Sequence, residues 1–124
     1  MPYVIETWDK PDSLSLRMKA RPDHLELLAE NASMLLACGA KLADDGKDLG
    51  GGLYVVDTDM RSEAQAFIES DPFFRAGLFD KVQITRWRKA YVAKEGLHNR
   101  VNIDEASIQR PVRLPITPDT GRTP

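Results

Sequence analysis

Apolar positions along the chain recur at two periods, and each change of period marks a boundary between elements. Tyr3-Val4-Ile5-Glu6-Thr7-Trp8 is rich in β-branched and aromatic residues and stops at the turn cluster Asp9-Lys10-Pro11-Asp12, which predicts a first strand. Ser13 can cap a short helical stretch through Lys19, and Arg21-Pro22 then restarts the chain, with Pro22 suited to a first helical turn. From there Leu25, Leu28, Ala29 and Ala32 recur at the spacing of one helix face. The end of that helix is open. Its pattern can run on through Leu35 and Leu36, or Asn31 can cap it and leave Met34-Leu35-Leu36-Ala37-Cys38 as a second, buried strand. Residues 44–52 carry every turn signal and predict a loop, and Leu53-Tyr54-Val55-Val56-Asp57 a third strand. Ser62-Glu63-Ala64-Gln65 reads as a capping box, opening a second helix with Ala64, Phe67 and Ile68 on its buried edge. Asp71-Pro72 opens one more helical turn that Gly77 can close, and Val82-Gln83-Ile84-Thr85-Arg86-Trp87 predicts a last strand running to about Tyr91.

The order β-α-β-β-α-β is the split βαβ arrangement, so the expected fold is α+β and ferredoxin-like, with an antiparallel sheet. Two helices cover one face of such a sheet. The other face needs a cover that only a partner subunit or the rest of the chain can supply, and a homodimer or higher homo-oligomer is the expectation.

Composition changes this picture in one place. Among 124 residues every Trp, Tyr and Phe lies between Tyr3 and Tyr91, whereas Pro111, Pro115, Pro118 and Pro124 are half of the 8 prolines. A stretch without aromatics and rich in proline offsets little of its own ordering entropy. A body over 1–91 and an extended tail over 92–124 follow, the tail being a candidate to wrap a partner subunit. The formal net charge of −2 argues against general nucleic-acid binding. No stretch approaches the roughly 18 apolar residues of a membrane span, and the first residues carry neither basic nor apolar signal regions, so a cytoplasmic protein is expected. Cys38, the single cysteine, excludes an internal disulfide, and its apolar neighbours favour a small buried residue.

Candidate chemistry is sparse. Of the 2 histidines, His98 falls in the tail, and His24 falls near the start of the main helix at the margin of its apolar stripe. A histidine there usually makes a local hydrogen bond, but it can also point into a cleft between helix and sheet. Asp71 before Pro72 is a good N-cap. A carboxylate near a histidine can instead hold the tautomer and orientation of the ring. Spacing leaves both open. Gly50-Gly51-Gly52 lacks the Gly-Lys-Ser/Thr ending of a phosphate loop, Arg86-Trp87-Arg88-Lys89 reads as an outward-facing charged strand, and no metal site is credible.

The residues Tyr3-Val4-Ile5, Asp9-Lys10 with Asp12-Ser13-Leu14, Arg17 and Arg21-Pro22-Asp23-His24-Leu25, followed by Glu63-Ala64, Asp71-Pro72-Phe73, Ala76-Gly77-Leu78-Phe79 and Trp87-Arg88-Lys89, resemble the YCII-related (YciI-like) family in the same order. The resemblance spans residues 3–91. It implies a dimeric α/β barrel with a pocket holding a His–Asp pair at His24 and Asp71, a helix ending near Asn31 and a strand over 34–40. One branch of that family is a dehydrochlorinase acting in aromatic breakdown. The family's usual Gly-Pro after the second strand is Gly39-Ala40 here.

The expected function is that of a small cofactor-independent enzyme of proton-transfer chemistry, a lyase or isomerase acting on a small cyclic aromatic or enol-type substrate. His24 is the candidate general base and Asp71 its orienting partner. Arg21 is the candidate ligand for an anionic oxygen, and Trp8 and Phe73 are candidates to line the pocket. The alternative is a non-catalytic ligand-binding or assembly module whose tail, with Val101, Ile103, Ile108, Val112, Leu114 and Ile116, engages a partner.

Overall fold

The computed structural model describes residues 1–93, so the tail expected over 92–124 lies almost wholly outside the described residues. Strand β1 (Tyr3–Asp9) sits inside the sheet, and its alternation decides where the core lies. Tyr3, Ile5 and Thr7 face one side and Val4, Glu6 and Trp8 the other, as period 2 requires. β1 pairs antiparallel with β3 (Asp48–Val56) and with β4 (Phe79–Arg86), while β2 (Leu35–Leu42) pairs antiparallel with β3. The order β2-β3-β1-β4 is that of the ferredoxin-like fold. Register carries the inward set across the strands: Tyr3 opposes Val56 and Ile5 opposes both Tyr54 and Ile84. Helix α2 (Arg61–Ser70) closes this face with Ala64, Phe67 and Ile68, and Leu27 and Leu28 of helix α1 (Leu14–Glu30) pack against the same cluster. The short helix α3 (Pro72–Arg75) follows, and Gly77 at φ 77° turns the chain into β4. Met1–Lys89 forms one compact unit.

Several expectations need correction. The predicted break at Arg21-Pro22 is absent: α1 runs unbroken from Leu14 to Glu30 with Pro22 inside it. Proline there removes one ladder hydrogen bond, but both halves of the helix are pinned on the same face, Arg17 to Asp9 and His24 to Asp71. The predicted apolar stripe is not the docked face either. Leu25 is 43% exposed and Ala29 and Ala32 are exposed, whereas the buried residues of α1 are Arg17 and His24. Only Leu28 of that stripe packs against the core, beside Leu27, and the deepest contacts come from a guanidinium and an imidazole, which no apolar period reveals.

Gly50-Gly51-Gly52, expected in a loop, lies in β3, and β2 extends to Leu42. Gly51 holds φ 127°, and a Cβ there would stand 2.1 Å from the Thr7 carbonyl oxygen, so only glycine admits this approach of β3 to β1. The Ser62–Gln65 capping box does not form, since α2 begins at Arg61. Thr58 does the work, accepting the Met60 N–H at 3.1 Å and meeting the Glu63 carboxylate. β4 begins and ends earlier than predicted, at Phe79 and Arg86. Cys38 is exposed rather than buried, because β2 is an edge strand that α1 leaves partly uncovered.

Candidate active site

α1 stands off from the β2 end of the sheet and leaves a cavity of about 180 Å³. Its helix side is Arg17, Arg21, His24, Leu25 and Leu28, in which the first three and Leu28 share one face through their spacing of three, four and seven. Its floor includes Gly39, Ala40 and Gly52, so the space exists because three small residues stand where larger side chains would fill it. A Cβ on Gly52 would meet the Gly39 carbonyl oxygen at 2.9 Å, which keeps that position small.

His24 is 8% exposed, and its Nδ1 lies 2.9 Å from both carboxylate oxygens of Asp71. Asp71 is fully buried and also caps α3, where Oδ1 accepts the Phe73 N–H at 2.8 Å. Both meanings of Asp-Pro in the sequence therefore hold in one side chain. The Tyr54 hydroxyl donates to Oδ2 at 2.9 Å. A proton on Nδ1 shared with the carboxylate fixes the tautomer and leaves Nε2 as the acceptor nitrogen. Nε2 has no partner among the described residues and is not sealed from solvent. Phe73 stacks on the imidazole, with centroids 3.9 Å apart and planes at 16°.

The remaining candidates divide. Arg21 lines the cavity, is exposed, and has no ion-pair partner among the described residues. Trp8, expected in the pocket, is not there. It projects from the opposite face of the sheet, where Lys41 and Lys81 sit 4.1 and 4.7 Å from its ring centroid. Its place in β1 explains this, because Trp8 alternates out of phase with Tyr3, Ile5 and Thr7.

Sequence reasoning missed Arg17 and Tyr54. Arg17 is buried, bonds Asp9 Oδ2 at 2.8 Å and lies over the Phe73 ring at 4.7 Å. It stands seven residues before His24, two helical turns along the same face, and that spacing was the available signal. Tyr54 is an inward residue of β3, where a buried phenol needs a partner for its hydroxyl. Burial foremost, and then Asp71, push its phenol far above the ordinary range. Cys38, opposite Tyr54 in the register and exposed along the edge strand, borders the cavity; desolvation of its partly enclosed thiol, and then Asp71, push it up to about 11. Among the described residues no three His, Cys, Asp or Glu side chains gather as a metal-holding group, and no helix is long and apolar enough to cross a membrane.

A ferredoxin-like sheet with one cavity built around a His–Asp pair defines a small α+β domain of the dimeric α/β-barrel kind. The chain belongs to the YCII-related domain family, whose family model matches residues 1–88. It is 33% identical over 98 residues to Protein YciI from Escherichia coli O6:H1 and to that from Shigella flexneri, covering 73% of this chain and 100% of each relative. Among solved structures it is similar to 5-chloro-2-hydroxyhydroquinone dehydrochlorinase (TftG) from Burkholderia phenoliruptrix, determined in complex with 2,5-dihydroxybenzoquinone. The TM-score is 0.66 at 30% identity, over 71% of this chain and 94% of that one.

Proposed function

We propose that this protein is a small enzyme that removes HX from a single-ring, hydroxylated, halogenated substrate by general-base catalysis. The observation that carries the reading is His24, buried beside a cavity with Nδ1 held by Asp71 and Nε2 unpaired among the described residues. In the keto tautomer of such a ring, reached by moving a hydroxyl proton onto the halogen-bearing carbon so that it becomes tetrahedral, Nε2 takes a proton from a conjugated ring hydroxyl. The electron pair left behind forms the new π bond as the carbon–halogen bond breaks, and halide leaves with the electrons of that bond. Proton and halide together account for the loss, and no electron passes to an outside acceptor. Asp71 orients the imidazole and stabilises its cation. Arg21 meets the developing oxyanion at the mouth of the cavity. A positioned base contributes about 10²–10⁴-fold.

Size supports a single ring, since a cavity of about 150 Å³ accommodates benzene and this one measures about 180 Å³. The likeness to the Burkholderia dehydrochlorinase supports a chlorinated polyhydroxybenzene. A homodimer belongs to the same reading: Val4, Trp8 and Leu53 lie on the sheet face that no described helix covers, and two such faces packed together would bury them.

Chloride release tests the reading, measured with the full chain on hydroxylated chlorobenzenes headed by 5-chloro-2-hydroxyhydroquinone. His24→Gln is expected to lose at least a hundredfold. Turnover undiminished in that variant would remove the general base, and no turnover across the panel by the wild type would favour a binding module.

A further inference from the structure

Asp71 receives more donors than a helix cap or a histidine orienter needs. The Phe73 N–H reaches Oδ1, the Tyr54 hydroxyl reaches Oδ2, and His24 Nδ1 is equidistant from the two oxygens at 2.9 Å. With the backbone donor alone, the carboxylate is fixed at one oxygen and can still turn about its Cβ–Cγ bond. A second donor on the second oxygen fixes its plane, and an imidazole bonded to both oxygens must follow that plane.

Tyr54 is well placed to supply this donor. β3 presents it on the inward face opposite Ile5 and Cys38. Its ring edge meets Phe67 at 5.9 Å and His24 at 6.2 Å, with interplanar angles of 75° and 82°. We propose that Tyr54 is a positioning residue for the His24 base: its hydroxyl locks the plane of the Asp71 carboxylate and thereby the direction in which Nε2 faces the cavity. The proposal rests on the general-base reading for its catalytic consequence, but the geometry it asserts does not. A phenol raised far above its usual range remains protonated, so the donor is present wherever the protein is folded and active.

Tyr54→Phe removes one oxygen and keeps the ring. On 5-chloro-2-hydroxyhydroquinone the expected loss is about tenfold in kcat with KM within about twofold, the scale on which an outer partner of a histidine acts. Simple loss of a wall of the cavity would raise KM instead. The second readout is spectroscopic and needs no turnover. In ¹⁵N-histidine-labelled protein, with His98→Gln assigning the signals, the downfield Nδ1 proton of His24 shifts or exchanges faster in Tyr54→Phe. A third measurement uses the unaltered chain, so it survives a variant that fails to fold. The Tyr54 hydroxyl proton and the His24 Nδ1 proton both lie against Oδ2 and give a cross-peak. An unchanged kcat with an unmoved Nδ1 proton overturns the proposal, as does absence of the cross-peak. If His24→Gln stays active while the cross-peak is present, the base assignment falls and the positioning geometry stands.

Discussion

Replacing Asp71 by asparagine separates the two roles that meet in this side chain. Asparagine caps a helix as well as aspartate, so the Phe73 N–H keeps an acceptor where Oδ1 stands at 2.8 Å. The amide nitrogen then occupies the place of Oδ2, facing the Tyr54 hydroxyl and Nδ1 of His24, both donors at 2.9 Å. The hydroxyl can rotate to accept. The imidazole either leans its Nδ1 proton onto the one remaining oxygen, which also lies at 2.9 Å, or moves that proton to Nε2 and occupies the nitrogen the reaction requires bare, and in both cases its cation loses the negative charge that stabilises it. Activity is therefore expected to fall by about 10²–10⁴-fold, the whole contribution of a positioned base in the right tautomer. Stability should fall by about 1.5–3 kcal/mol, the worth of a hydrogen bond to a charged group. For a unit of this size that lowers Tm by about 10 °C. Asp71→Ala loses the cap as well and should cost about 1 kcal/mol more. Chloride release and thermal unfolding followed by circular dichroism, on Asp71→Asn, Asp71→Ala and the double variant with His24→Gln, give the answer. The double variant should be no less active than His24→Gln alone. The reasoning fails if Asp71→Asn works at the wild-type rate while His24→Gln is dead, for Asp71 is then a cap only.

Three further outcomes follow from the same geometry. Gly51→Ala puts a Cβ 2.1 Å from the Thr7 carbonyl at φ 127°, whereas a Cβ on Gly39 meets nothing within 4 Å. The first should cost about 2–4 kcal/mol and the second under about 0.5 kcal/mol in urea unfolding, and equal costs would contradict the strand register. Arg17→Met leaves the Asp9 carboxylate, whose Oδ1 is already without a partner among the described residues, buried and uncompensated; a loss of about 3–5 kcal/mol is expected, and a change under 1 kcal/mol would show that the pair is dispensable. The Cys38 thiol, raised from 9.0 to about 11, favours the protonated form in the folded chain. Its contribution is complete below pH 9 and is lost as pH rises toward 11, with the raised Tyr54 phenol acting in the same direction. Tm scans from pH 8 to 11 should fall, less steeply in Cys38→Ala, and a flat profile in both would refute the linkage.

The sheet was legible because its strands obey a local rule. Tyr3, Ile5, Tyr54 and Ile84 fall in phase with the core, and the two turns after residues 42 and 70 are written in Asp, Gly and Pro. The first helix was not. Its docked face is Arg17 and His24, held by partners 8 and 47 residues away, and neither partner enters a hydrophobic pattern. His24 and Asp71 were recognisable through the family resemblance, whereas their contact depends on tertiary placement that spacing does not encode. Trp8 was misplaced for want of the strand's phase, which a pocket-lining assignment ignores. The glycine run was misread because a positive φ serves a strand at a close crossing as well as it serves a turn.

The polar underside of α1 ties two kinds of selection together. In most small domains the residues that hold a helix down are aliphatic and can drift among Leu, Ile and Met without touching the chemistry. Here Leu27 and Leu28 pack on the core only half-buried, the buried side chains fastening α1 are Arg17 and His24, and the latter is also the candidate base. A deep mutational scan read out by cellular abundance, blind to catalysis, should therefore find these two polar positions as intolerant as Ile5 or Phe67. Relatives that abandon the chemistry would still be pressed to keep the pair. In this fold, persistence of a histidine and an aspartate across a lineage is a weaker sign of a working enzyme than the same persistence would be on a loop.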